Sequence, residues 1–106
     1  VKVQETRPAI DVTRLDLAHA FKRNPFAKHS PELYALLEIL RGPRFNGNYV
    51  LVQLEAGRRY VLAVKQPGHK PPSVLSNEVF ETPEAAEWAV FKRRWEAAAG
   101  RPLPIE

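Results

Sequence analysis

The side chains that most often carry chemistry are few in this sequence and poorly placed for it. His19, His29 and His69 occur singly, without the HExxH or HxxxH spacing that sets two imidazoles on one helix face. Cysteine is absent, so disulfides, thiolate metal sites and a cysteine nucleophile are excluded together. A zinc site would need carboxylates gathered from distant parts of the chain. Ser30, Ser73 and Ser76 lack a G-x-S-x-G context, and the aspartates, Asp11 and Asp16, both fall at the start of the first expected helix. Gly42, Gly47, Gly57, Gly68 and Gly100 are dispersed among helix ends and turns. None forms the backbone cradle that a bound phosphate requires. No catalytic, cofactor or metal site is expected in this chain.

The basic residues are the remaining source of function. Lys22, Arg23, Lys28 and His29 surround the first inter-helix link, Arg41 and Arg44 precede the expected hairpin, and Arg58 and Arg59 mark its turn. Lys92, Arg93 and Arg94 sit late in the last helix. The net charge of +4 raises nucleic acid, anionic lipid or an acidic protein as partners. Phosphate binding needs such groups on one surface with stacking aromatics. Here the aromatics take core-like positions and glutamates interrupt the cations, so a small nucleic-acid-binding module is the weaker alternative.

These residues have to be positioned by one domain, because 106 residues suffice for one core and not for two. The 44% hydrophobic and 26% charged fractions are those of a globular chain. No apolar run approaches the roughly 18 to 20 residues of a membrane span. A cysteine-free small domain fits a reducing, cytoplasmic location. The chain begins at Val1 and contains no methionine, which implies residues lost from the true N-terminus. Residues 1–10, polar and carrying Pro8, read as a flexible arm.

The periodicity predicts an α+β fold. Asp11 can cap a helix from Val12 to Arg23, stopped before Asn24-Pro25. Ser30, Pro31 and Glu32 open a second helix; Leu33, Leu36, Leu37 and Leu40 give its apolar face, and Gly42-Pro43 closes it. Tyr49 to Leu54 and Arg59 to Lys65 read as a hairpin with a four-residue connection. Both of its faces are apolar, so both must be covered, by the chain's own helices or by a partner. Gln66 to Ser76 reads as a loop, and a short third strand is expected near Glu78 to Glu81. Thr82, Pro83 and Gly100 bound a long last helix on the small antiparallel sheet. Trp88, Phe91, Trp95 and Ala98 share one of its faces; Ala86, Val90 and Ala97 form a narrower stripe. Such a helix either buries two sides or has one core face plus helix-favouring alanines.

Two segments go beyond generic helix grammar. Asn24-Pro25-Phe26, followed by Lys28-His29-Ser30-Pro31, is one; the other is Phe80-Glu81-Thr82-Pro83-Glu84-Ala85-Ala86 running on to Trp95-Glu96. With Gly47-Asn48-Tyr49 between them, they resemble the small (alpha) subunit of N,N-dimethylformamidase, over about Asn24 to Glu96. The resemblance implies a heteromeric amidohydrolase that cleaves a formamide to formate and an amine. It also implies that iron and the catalytic groups belong to a large partner subunit against which the small one packs.

The residues expected to meet that partner are Asn24, Pro25, Phe26, Lys28 and His29, joined by Trp88, Arg93 and Arg94 of the last helix. Proline restricts the backbone, so Phe26 can be presented as a rigid aromatic anchor with a polar rim. Alternatively Phe26 plugs the domain's own core between the helices, with Lys28 and His29 solvated.

Overall fold

The computed structural model describes residues 9–56, 58–75 and 78–106. Three helices and a three-stranded antiparallel sheet follow in the order α1 (Leu15–Arg23), α2 (Pro31–Arg41), β1 (Tyr49–Glu55), β2 (Arg58–Val64), β3 (Ser73–Val74) and α3 (Pro83–Ala99). This is the expected α+β arrangement, with the long last helix on the sheet.

Two helices start where their capping residues dictate. Ser30 Oγ accepts the Leu33 amide at 3.2 Å, and Thr82 Oγ1 accepts the Ala85 amide at 3.1 Å. Each is followed by proline, whose missing N–H costs nothing in a first turn. Gly100 ends α3 in the left-handed region at φ 77°, its N–H bonded to the Glu96 carbonyl. Gly42 ends α2 differently, in extended backbone, because Pro43 disfavours the α region for the residue before it.

α1 begins three residues later than expected. Asp11 does not cap it; its carboxylate accepts the Thr13 amide at 3.0 Å and the Thr13 hydroxyl. That local turn takes Val12 and Thr13 out of the helix, and Arg14 becomes the residue at its start. The arm is also shorter than read from sequence. Ile10 is buried in the core and the Ala9 amide donates to the Ala98 carbonyl. Residues 1–8 lie outside the described part.

In the sheet, β1 and β2 pair from Tyr49↔Val64 through Gln53↔Tyr60 and close at Glu55↔Arg58. The connection is therefore two residues shorter than the four expected. The Glu55 carboxylate ties Arg58 at 3.0 Å and Arg59 at 3.2 Å, and Arg59 adopts φ 63°. The third strand is displaced from its expected place. β3 falls inside the segment read as a loop, while only Phe80 of the expected strand pairs, in an isolated bridge with Tyr60. Pro71 and Pro72 have no N–H to offer a ladder, so pairing starts at the first residues beyond them that do.

The core lies mainly between the helices and extends to β2, where Val61, Leu62 and Ala63 are buried. Leu33, Leu36, Leu37 and Leu40 of α2 are all buried, as are Trp88, Phe91, Trp95 and Ala98 of α3. Phe21 of α1 stacks on Phe91 at 4.6 Å, and Trp88 continues the stack at 5.4 Å. α3 contacts α1, α2 and β2, so it is buried on two sides. Ala86 and Val90 of the narrower stripe are buried too, whereas Ala97 is exposed.

Trp95 has the largest side chain among those fully enclosed in this core. Replacing it with alanine is expected to cost about 3 to 5 kcal/mol of folding free energy. Chemical denaturation with the midpoint and slope both recorded checks this; a loss under about 1 kcal/mol would mean that the helices are not held by this seam.

Candidate partner interface

The seven residues between α1 and α2 form a turn tied at both ends. The Asn24 side-chain oxygen accepts the Phe26 amide at 3.2 Å, and the Asn24 carbonyl accepts the Ala27 amide at 3.3 Å. His29 Nε2 donates to the Pro25 carbonyl at 3.1 Å, so that nitrogen carries the proton. The His29 ring lies 5.7 Å from Phe21 and 5.3 Å from Tyr34, clamped between the ends of the two helices. Pro25 is buried beneath the turn.

Phe26 is left outside. It is 59% exposed, the most exposed large hydrophobic among the described residues. The core plug is thereby excluded, since the space between the helices is filled by Phe21 and the α2 leucines instead. Lys28 beside it is exposed, and Tyr34, 47% exposed, follows on the first turn of α2. A short stretch of backbone thus holds one aromatic side chain in water.

The residues expected from the last helix are placed differently. Trp88 is 8% exposed and works in the core: its ring stacks on Phe91 and its Nε1 donates to the Glu106 carbonyl at 3.2 Å. The Lys22 and Lys92 ammonium groups lie over its ring at 5.7 and 5.8 Å. Arg94 reaches inward, its Nε donating to the Asn46 carbonyl at 3.0 Å, which pins the segment leading into β1. Burial pushes its pKa down, with the nearby Arg41 charge acting in the same direction. Arg93 remains exposed, its guanidinium 6.0 Å from the Tyr49 ring. Of the expected contact residues, Asn24, Phe26, Lys28 and Arg93 are exposed, His29 and Arg94 are half-buried, and Pro25 and Trp88 are buried in the domain itself.

Among the described residues, no group of three or more histidine or carboxylate side chains comes close enough to hold a metal ion. No helix is long and apolar enough to cross a membrane. The family profile for the N,N-dimethylformamidase alpha subunit matches residues 4–101. The chain belongs to that family. A search of curated proteins finds no match. The alpha-subunit assignment implies a heteromeric partner.

One group of exposed apolar residues was not singled out from sequence. Leu54, Val74, Leu75 and Val79 lie on or beside the sheet and are 36% exposed or more. The signal for them was the hairpin whose two faces are both apolar.

Phe26→Ala separates a surface anchor from a core residue. The alpha subunit carrying it is expected to unfold within about 0.5 kcal/mol of the unaltered chain, as exposed positions do. A loss of about 3 to 5 kcal/mol in the same denaturation experiment would place Phe26 in the core after all.

Proposed function

We propose that this chain is the non-catalytic small subunit of a heteromeric N,N-dimethylformamidase-like amidohydrolase, acting in the cytoplasm. Its role is to pack against and stabilise a large subunit that holds iron and hydrolyses a formamide to formate and an amine. The single observation that carries the reading is the match to the alpha-subunit family along nearly the whole chain. The Phe26 turn supports it from the structure. An aromatic fixed outside the core by three hydrogen bonds loses little conformational freedom on docking, which is the property of an anchor residue.

In this reading Asn24 and Pro25 shape the turn, Phe26 enters a pocket on the large subunit, and Lys28 lies on the polar rim. His29 is a positioning residue, because its bond to the Pro25 carbonyl holds the turn to α2. The basic residues do not favour the nucleic-acid alternative. Lys22 and Lys92 attend the Trp88 ring, Arg58 and Arg59 share Glu55, and Arg94 is turned inward. Cations engaged in this way do not form one tract for a phosphate backbone.

The test uses this chain together with the large dimethylformamidase subunit of the same organism. The two are expected to co-purify as one assembly that hydrolyses dimethylformamide, with iron measured in the large subunit. The small chain alone is expected to show no hydrolysis. Phe26→Ala is expected to weaken assembly by roughly 2 kcal/mol, read by titration of one subunit into the other. Formamide hydrolysis by the small chain alone overturns the reading, as does a fully active large subunit that never binds it.

A further inference from the structure

The two edges of the sheet are built differently. β3 is two residues long and follows Pro71 and Pro72, a short edge that offers little to a further strand. β1 runs seven residues at the other edge, and no strand lies beside it among the described residues. It contains no proline, lysine or glycine, and its register with β2 is unbroken from Tyr49 to Gln53. None of its residues is buried, whereas Val61, Leu62 and Ala63 of the central strand all are.

The hydrogen bonds fix which groups of β1 are left over. The Lys65 amide donates to the Asn48 carbonyl at 2.8 Å, and Tyr60 exchanges two backbone bonds with Phe80, at 2.7 and 2.8 Å, on the far side of β2. Directly opposed residues of an antiparallel pair alternate between bonded and non-bonded. Val50 and Val52 therefore bond to Ala63 and Val61, while Leu51 and Gln53 turn N–H and C=O to the open edge. Among the described residues, no backbone group answers them there. We propose that this edge pairs with the same edge of a second copy of the chain, antiparallel about a two-fold axis at Val52, so that two sheets join into one. The inference does not rest on the subunit reading above.

The sequence of β1 selects that occupant. About Val52, Leu51 and Gln53 of one copy exchange N–H···O=C bonds with Gln53 and Leu51 of the other. Val52 then faces Val52 at about 4.5 Å between Cα atoms, the close pairing in which side chains meet best. Val50 falls opposite Leu54, which is 52% exposed in the single chain and so gains an apolar neighbour. Glu55 is the only charge in the strand and comes opposite Tyr49, so like charges do not face each other. Both copies use the same edge, which closes the assembly at a dimer and leaves no long edge to continue it.

Sedimentation equilibrium of the full chain over a concentration series tests the pairing. The unaltered chain is expected to show a monomer–dimer equilibrium. Gln53→Pro is expected to stay monomeric throughout, because proline removes an N–H that only the second copy uses. Its thermal melt is expected to match that of the unaltered chain at dilutions where both are monomers. If proline lowers the melt, Val52→Lys and Val52→Glu replace it. Each alone is expected to be monomeric and their mixture to dimerise, since a two-fold at Val52 sets the new charges side by side. An unaltered chain that is monomeric at every concentration overturns the proposal. So does a dimer that survives Gln53→Pro, or one that both Val52 variants abolish and mixing does not restore. A monomeric chain whose Gln53→Pro variant loses binding to the large dimethylformamidase subunit gives the edge to that subunit and overturns the choice of a second copy.

Discussion

The stack of Phe21 on Phe91, continued by Trp88, is the contact from which the rest of the structure takes its position. Phe21 stands near the end of α1, so seating its ring on α3 fixes where the chain leaves that helix. Asn24 and Pro25 follow at once, and the His29 ring then closes on Phe21 from the other side. Aromatic pairs of this kind contribute about 0.5 to 1.5 kcal/mol beyond their area. Their larger effect here is geometric: the stack sets the angle between α1 and α3, and α2 fills the remaining groove with its leucines. The same seam secures the C-terminal residues, since Trp88 Nε1 and Lys22 Nζ both donate to the Glu106 carbonyl and Leu103 is buried.

What could be read from sequence divides along a physical line. α2 and α3 were legible because their boundaries are set locally, by Ser30-Pro31 and Thr82-Pro83 at one end and Gly42 and Gly100 at the other. Their apolar spacing also agrees with those boundaries. The start of α1 was not legible, because Asp11 has two uses and the short-range turn with Thr13 prevailed over a helix cap. β3 was not legible either. Ser73 and Val74 have no strand pattern of their own, and what makes them a strand is a free position beside Ala63 and Val64. Pairing partners of that kind lie in the tertiary structure and leave little trace in a two-residue segment.

The candidate interface divides in the same way. Asn24-Pro25-Phe26 was legible as a turn, since proline and an Asn side chain both specify local backbone. Whether Phe26 faced inwards was not, because that depends on whether another aromatic already fills the space, and Phe21 does. Trp88 and Arg94 show the converse. Both have the residue types that dominate interfaces, yet each finds an internal acceptor, the Glu106 and Asn46 carbonyls, that sequence spacing gives no reason to expect.

A domain is usually built as two packed layers, and each layer needs an apolar surface on one side only. The helical layer follows that rule only in part: Glu38 and Arg41 of α2 and Glu84 of α3 face outwards, but so do Tyr34 and Ile39 of α2. The sheet is apolar on both faces, and its central strand is buried on both, at Leu62 on one side and at Val61 and Ala63 on the other. Local strand propensity alone cannot be the reason, because threonine and tyrosine satisfy it equally while tolerating water. The apolar surface that the sheet leaves in water lies at its margins, at Leu54 and Val74, and not on its central strand. The fold thus closes its core through β2, while Leu54 and Val74 at the sheet's margins and Phe26, Tyr34 and Ile39 in the helical half keep apolar surface in water.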